Sequence, residues 1–288
     1  MIYKEVDIRV NESMPYAKLC LYVLDNSVEI DPEERRPLIL ICPGGGYART
    51  SDREGEVVAL QFMAMGYHSA VLRYSTAPAR YPTALLELGK SISYIRSYSE
   101  EYHVDTDKII IQGSSAGGHL AASLGVFWNR GFISEALGTL SETLKPNGLI
   151  LSYPVITSGI YAHKPSFLNL LGDRHDSFVG DMSLENQISE ATPRTFIWHT
   201  ITDQTVPVQN SLLFVEGLIK HQIPTEFHMY PVGGHGLALA NELTATPGGI
   251  GIQKECEGWI DLVETWLKLN YQMNNSKAIE KHRTQEIN

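Results

Sequence analysis

Cysteine is scarce in this 288-residue chain, which holds only Cys20, Cys42 and Cys256. They are odd in number, far apart and without metal-ligand or redox-motif spacing. That excludes a disulfide framework and reads as inert thiols in a reducing compartment. Positive charge is also short. With 23 Lys+Arg against 33 Asp+Glu the formal charge is −10, and such a surface repels phosphate backbones and anionic lipid. Nucleic acid and membrane surfaces are therefore not expected partners. Long apolar runs are missing too: the longest is LILIC at 38–42, far below the ~20 residues of a transmembrane helix. The opening MIYKEVDIRVNESM has no secretory-leader apolar segment, so a cytoplasmic location is expected. No internal repeat, low-complexity tract or linker divides the chain.

What is present is the composition of a folded protein. A hydrophobic fraction of 43% excludes intrinsic disorder. A chain near this length buries roughly three quarters of its unfolded surface. Period-two patterning predicts strands over 2–10 and 18–24. Apolar runs predict buried strands at 38–42 and 108–112, and 148–152 and 195–199 also read as strands. Further strands are expected at 68–73 and 225–230. Between them lie expected helices: one opened by the capping-box pattern Ser51-Asp52-Arg53-Glu54 and running to 64, then 82–102, 115–128, 207–221 and 253–269. In the last, Trp259, Leu262, Val263, Trp266 and Leu267 recur as a helix stripe that packs on a sheet. Alternating strands and helices imply a mainly parallel sheet with helices on both faces. Residues 1–271 are expected to form one α/β domain with a polar, irregular, cap-like insertion at 157–193, followed by a polar tail at 272–288.

Four short segments carry the candidate chemistry. Gly113-Ser114-Ser115-Ala116-Gly117 fits G-x-S-x-G, follows a buried strand and opens a helix. Composition alone gives this pentapeptide in roughly one chain of such length in ten, so the strand–turn–helix context matters. There, a strained turn lifts the Ser115 hydroxyl above the sheet edge, and the helix start offers free N–H groups. A serine needs a base held by a third group. Asp203 lies in a loop past the strand TFIWHT, where an Asp also commonly forms a turn or caps a helix. His235 sits among glycines in PVGGHG after the strand TEFHMY. His199 and His228 lie within strands, and His119 one turn after Ser115, where packing roles are expected. His163 and His175 have no ligand partner at helical spacing, so no metal is expected. Pro43-Gly44-Gly45-Gly46-Tyr47 follows the strand LILIC and exposes backbone N–H groups. It has neither the lysine of a P-loop nor a dinucleotide spacing. Gly45 or Gly46, with Ala116, would complete an oxyanion hole. Arg49 and Arg53 flank this loop, either orienting a polar substrate or solvated at the surface.

The segments PGGGY, LRYSTAPARYPTALLELGKSISYIR, DKIIIQGSSAGGHLAA, TPRTFIWHTITDQTVP and YPVGGHGLALA resemble those of α/β-hydrolase esterases. They resemble in particular the bacterial acetyl-esterase and xylan-esterase-like group, over residues 38 to about 270. The resemblance implies an α/β-hydrolase fold with a twisted, mainly parallel sheet of about eight strands. It assigns Ser115 as nucleophile, Asp203 as acid, His235 as base and Gly45, Gly46 and Ala116 as oxyanion donors. Pro43 stands where many relatives have His, and Ser114 where lipase-like members have Asp, which points away from the lipase branch. The implied function is serine hydrolysis of small acyl esters, acetyl foremost, on sugars or xylo-oligosaccharides, with no cofactor. Tyr47 and Ser114 are expected substrate contacts, and Tyr47, Tyr153 and Trp128 could stack on a sugar or fill the core. Arylformamidase or small peptidase activity on the same fold is the alternative, and a non-catalytic binding protein the least favoured. A small-molecule ester is the expected partner, and self-association into a homo-oligomer is left open.

Overall fold

The computed structural model describes residues 1–271, so the expected polar tail lies outside the described residues. The strands are β1 (Ile2–Val6), β2 (Lys18–Val23), β3 (Arg36–Cys42), β4 (His68–Arg73), β5 (Val104–Ser114), β6 (Gly148–Ser152), β7 (Thr195–Thr200) and β8 (Thr225–Tyr230). The helices are α1 (Glu56–Ala64), α2 (Thr83–Ser97), α3 (Ala116–Phe127), α4 (Gly131–Leu137), α5 (Lys164–Leu171), α6 (His175–Phe178), α7 (Gln209–Lys220), α8 (Lys254–Glu257) and α9 (Trp259–Asn270). One eight-stranded sheet runs β1-β2-β4-β3-β5-β6-β7-β8. Its first two pairings are antiparallel and the rest parallel. This is the α/β-hydrolase architecture.

The central strands read as unbroken apolar runs because both their faces are covered, yet the two-residue alternation still sorts their side chains. Leu38, Leu40, Ile109, Ile111, Leu149, Leu151 and Ile197 join one core with α2, α3 and α7. Ile39, Ile41, Ile110, Ile150, Phe196 and Trp198 face the other way, onto α1 and α9. Each such side chain contributes about 1.5–3 kcal/mol by leaving water. The three cysteines are buried and unpaired, as expected. Among the described residues no helix is long and apolar enough to cross a membrane.

Several expected boundaries move. The capping box does not form: Ser51 makes no side-chain cap, Asp52–Glu54 is a short 3-10 turn, and α1 starts at Glu56. The expected helix 82–102 stops at Ser97, and Tyr102 instead packs into the core before β5. The last helix breaks at Gly258 into α8 and α9. The segment 157–193 is more ordered than its polar pattern suggested. It carries α5, α6 and three 3-10 turns, and it buries Phe167, Leu170, Leu171, Met182 and Leu184 in the sheet's own core.

Because β3, β5, β7 and β8 run parallel, the loops after them emerge at one edge of the sheet. Residues 43–47, 115, 203 and 235, scattered over the chain, meet there. A ligand site at that edge is the general outcome of such sheets.

Candidate active site

Ser115 is the hinge between β5 and α3 and holds φ 53°, ψ −121°, a region side-chain-bearing residues rarely adopt. Hydrogen bonds fix it there. Its N–H donates to the Ser152 carbonyl at 3.0 Å, and its carbonyl accepts from His119 and Val155 N–H at 3.1 and 3.0 Å. Two residues on, a Cβ on Gly117 would lie 2.0 Å from the Cys42 oxygen and 2.5 Å from the Pro43 oxygen. Only glycine lets the start of α3 rest against the end of β3 this closely.

The Ser115 hydroxyl meets His235 Nε2 at 2.7 Å, and His235 Nδ1 meets Asp203 Oδ2 at 2.6 Å. A carboxylate only accepts, so Nδ1 carries the hydrogen and Nε2 is left to accept from the serine. Asp203 is buried, and its Oδ1 accepts from the Thr205 and Val206 N–H groups at 2.9 and 3.0 Å. The turn-forming use of this Asp and its contact with an imidazole therefore coexist, one on each oxygen. Burial pushes its carboxyl pKa up. Hydrogen bonds from His199 and His235, the His235 charge and the Val206 N–H outweigh that and hold it well below the usual range.

His199 behaves as the satisfied core histidine its strand position suggested. Nε2 donates to the Val206 carbonyl at 2.9 Å and Nδ1 accepts from Ser211 at 2.8 Å. It also stands 3.4 Å from Asp203 Oδ2, a proximity that sequence spacing within β7 did not signal. His119 is a packing residue as well: Nε2 donates to the Met182 carbonyl at 3.1 Å, and burial pushes its pKa down to about 4.

Beside Ser115 lies a cleft of about 430 Å³. Gly45, Gly46, Arg49 and Arg53 line one side, and His163, Pro165 and Asn169 from the 157–193 segment line another. Gly45 has φ +130°, and a Cβ there would fall 2.2 Å from the Arg49 oxygen, so the loop closes on itself only with glycine. Ala116 is the first residue of α3, so its N–H has no intrahelical acceptor. The expected oxyanion donors thus flank the serine.

Two expected substrate contacts are corrected. Tyr47 is buried, donates its hydroxyl to His119 Nδ1 at 3.0 Å and does not line the cleft. Ser114 is buried and accepts from Gln112 Nε2 at 3.0 Å. Stacking on a sugar fails for the other aromatics too. Trp128 bonds the Ala191 carbonyl, and Tyr153 lies beneath the site, edge-on to His235 at 5.2 Å. All four side chains turn inward, which no local pattern reveals.

Glu54, whose sequence position fits a capping box, is instead a residue of the site. It is 4% exposed, lines the cleft floor, and accepts from the Gly44 N–H at 2.9 Å and the Tyr153 hydroxyl at 2.7 Å. The Tyr153 oxygen in turn accepts from the Ala238 N–H at 2.8 Å, three residues past His235. One carboxylate therefore ties the glycine loop to the histidine loop. Burial and the nearby Glu54 charge hold the Tyr153 phenol protonated.

A family model described as BD-FAE matches residues 24–218. Endo-1,4-beta-xylanase B of Butyrivibrio fibrisolvens is 37% identical over 218 residues, covering 72% of this chain and 33% of that protein. The chain spans 33% to 57% of the length of the first three curated relatives it matches. Among solved structures, an acetyl ester-xyloside bifunctional hydrolase from Caldicellulosiruptor lactoaceticus superposes with TM-score 0.77 at 35% identity, covering 88% of this chain and 89% of that one. The carboxylesterase Cest-2923 from Lactobacillus plantarum WCFS1 gives TM-score 0.82 at 29% identity, with 95% and 99% covered.

Proposed function

This chain belongs to the BD-FAE family of α/β-hydrolases, and from that membership we propose that it is a serine-dependent carboxylic ester hydrolase acting on small acyl esters. The observation that carries the reading is the unbroken line from Asp203 Oδ2 through His235 to Ser115 Oγ, with contacts of 2.6 and 2.7 Å. In this mechanism Ser115 attacks the ester carbonyl while His235 Nε2 takes its proton. Asp203 holds the imidazole tautomer and stabilises the imidazolium. N–H groups of Gly45 or Gly46 and of Ala116 receive the oxyanion, each worth about 3 kcal/mol of barrier. His235 then protonates the leaving alcohol, and water releases the acyl group from Ser115. The steps use only these groups and water.

An acetyl group on a sugar or xylo-oligosaccharide is the favoured substrate. The modest cleft and the relatives, among them a xylanase and an acetyl ester-xyloside hydrolase, support it. Buried Tyr47, Trp128 and Tyr153 argue that any sugar is held without an aromatic platform. A panel of p-nitrophenyl acetate and decanoate, acetylated xylo-oligosaccharides and N-formylkynurenine tests the reading. Acetate is expected to exceed decanoate, and Ser115→Ala to lose at least ~10³-fold in kcat. Full activity in Ser115→Ala would refute the nucleophile, and formamide turnover above ester turnover would favour the arylformamidase alternative.

A further inference from the structure

We propose that the leaving-alcohol half of the substrate carries a carboxylate, received at the mouth of the cleft by Arg49 and Arg53. The inference rests on the ester-hydrolase reading and narrows its substrate. Both guanidinium-bearing side chains line the same cleft as Ser115 and His235. Among the described residues neither forms an ion pair, in contrast to neighbouring Arg73, which pairs with Asp52, though Arg80, Arg96, Arg130, Arg174 and Arg194 are likewise without one. Arg53 spends its Nε on the Thr244 carbonyl, and its Nη2 is buried beside Gly251 without a hydrogen-bond partner, so the donor Arg53 can offer the cleft is Nη1. Arg49 is exposed at the rim.

The acids close by are already engaged. Asp52 pairs with Arg73 at 2.7 Å, Glu56 accepts from Tyr22 at 2.8 Å, and Glu54 has its two oxygens on Gly44 and Tyr153. His163, the other basic group on the cleft, bonds Ser166 at 2.8 Å. Burial and the neighbouring His235 push its pKa down, so it adds little charge. A chain of formal charge −10 thus places two guanidiniums, neither in an ion pair, in the same cleft as its candidate nucleophile, with the Glu54 carboxylate at the floor.

A guanidinium presents parallel N–H donors that match the two oxygens of a carboxylate. With a small acyl group held at Ser115, the half of the ester that can extend to the exposed Arg49 is the alcohol. The overall negative charge does not oppose this at close range, because ~0.1 M salt screens exposed charges beyond about 10 Å. A uronic-acid-bearing oligosaccharide is one alcohol of this class.

The test compares 4-acetoxybenzoate with its methyl ester in the wild type, Arg49→Gln, Arg53→Gln and the double variant. The readout is the ratio of kcat/KM for the two esters. Intrinsic leaving-group reactivity is the same for every variant, so a change in the ratio reports the arginines. Each substitution is expected to lower the ratio about five- to tenfold, the double more, and 0.5 M NaCl is expected to lower it in the wild type. A ratio unchanged in the double variant, with the methyl ester still hydrolysed, would overturn the proposal and leave the ester reading intact. Hydrolysis of neither ester by the wild type would overturn both. Arg49 is exposed, so Arg49→Gln alone decides the matter if Arg53→Gln does not fold.

Discussion

Removing Glu54 should damage both the fold and the turnover of this protein, by an amount the structure sets. In Glu54→Ala the Gly44 N–H and the Tyr153 hydroxyl lose their acceptor together. An unmet buried polar group costs about 1–3 kcal/mol. Gly44 lies against the cleft loop, so water entering the vacated space meets part of its need. Tyr153 is 1% exposed, and its oxygen still receives the Ala238 N–H, so it bears the larger share. A total of about 2–4 kcal/mol follows, equivalent to a fall in Tm of about 3–7 °C at this chain length. Glu54→Gln keeps one acceptor and the side-chain volume and should cost under half as much. Because the lost bond also anchors the Gly44–Gly46 loop, kcat should fall more than KM rises. Thermal unfolding and steady-state kinetics on p-nitrophenyl acetate measure both effects. A double-mutant cycle of Glu54→Ala with Tyr153→Phe should show a coupling of about 0.5–3 kcal/mol. Glu54→Ala melting within about 1 °C of wild type with unchanged kcat would refute this reasoning.

Three other perturbations follow from the same geometry. Asp203→Asn should lower kcat about 10³- to 10⁴-fold by favouring the wrong imidazole tautomer. The folded Asp203 carboxyl is held below its unfolded value, so its stabilisation is present above about pH 4 and lost on further acidification. Melting curves between pH 6 and 3 should therefore fall less steeply in Asp203→Asn. His119 is also depressed, to about 4, and is favoured neutral in the fold. Its stabilisation is complete above the unfolded value near ~6.5 and shrinks as pH falls, by about 2 kcal/mol at pH 5; His119→Gln should flatten denaturant midpoints over that interval. Gly117→Ala would drive a Cβ to 2.0 Å from the Cys42 oxygen, between two backbone segments that cannot both yield. Circular dichroism and activity should show a destabilised protein with sharply reduced kcat, and wild-type behaviour would count against the elbow geometry.

The periodicity of apolar residues is a property of neighbouring positions, and it was enough to read the strand–helix alternation, the run TEFHMY and the stripe on α9. That Ser115, Asp203 and His235 of the proposed triad would meet was legible for a related reason. Each residue sits directly after a strand, and parallel strands deliver such positions to one edge whatever lies between them. Side-chain destinations were another matter. The pattern Ser51-Asp52-Arg53-Glu54 satisfies a capping box locally, but the Glu54 carboxylate bonds Tyr153, 99 residues away. Tyr47 and Ser114 neighbour functional positions in sequence, yet the chain turns both inward. No local pattern marks His163 as a cleft residue, and the packing of Phe167 and Leu170 into the core brings it there. Local backbone preference and alternation determined which segments this protein has and which edge carries its chemistry. Contacts between segments far apart in the chain decided which polar groups are buried in the scaffold and which face a ligand, because burial is conferred by the neighbours a fold supplies.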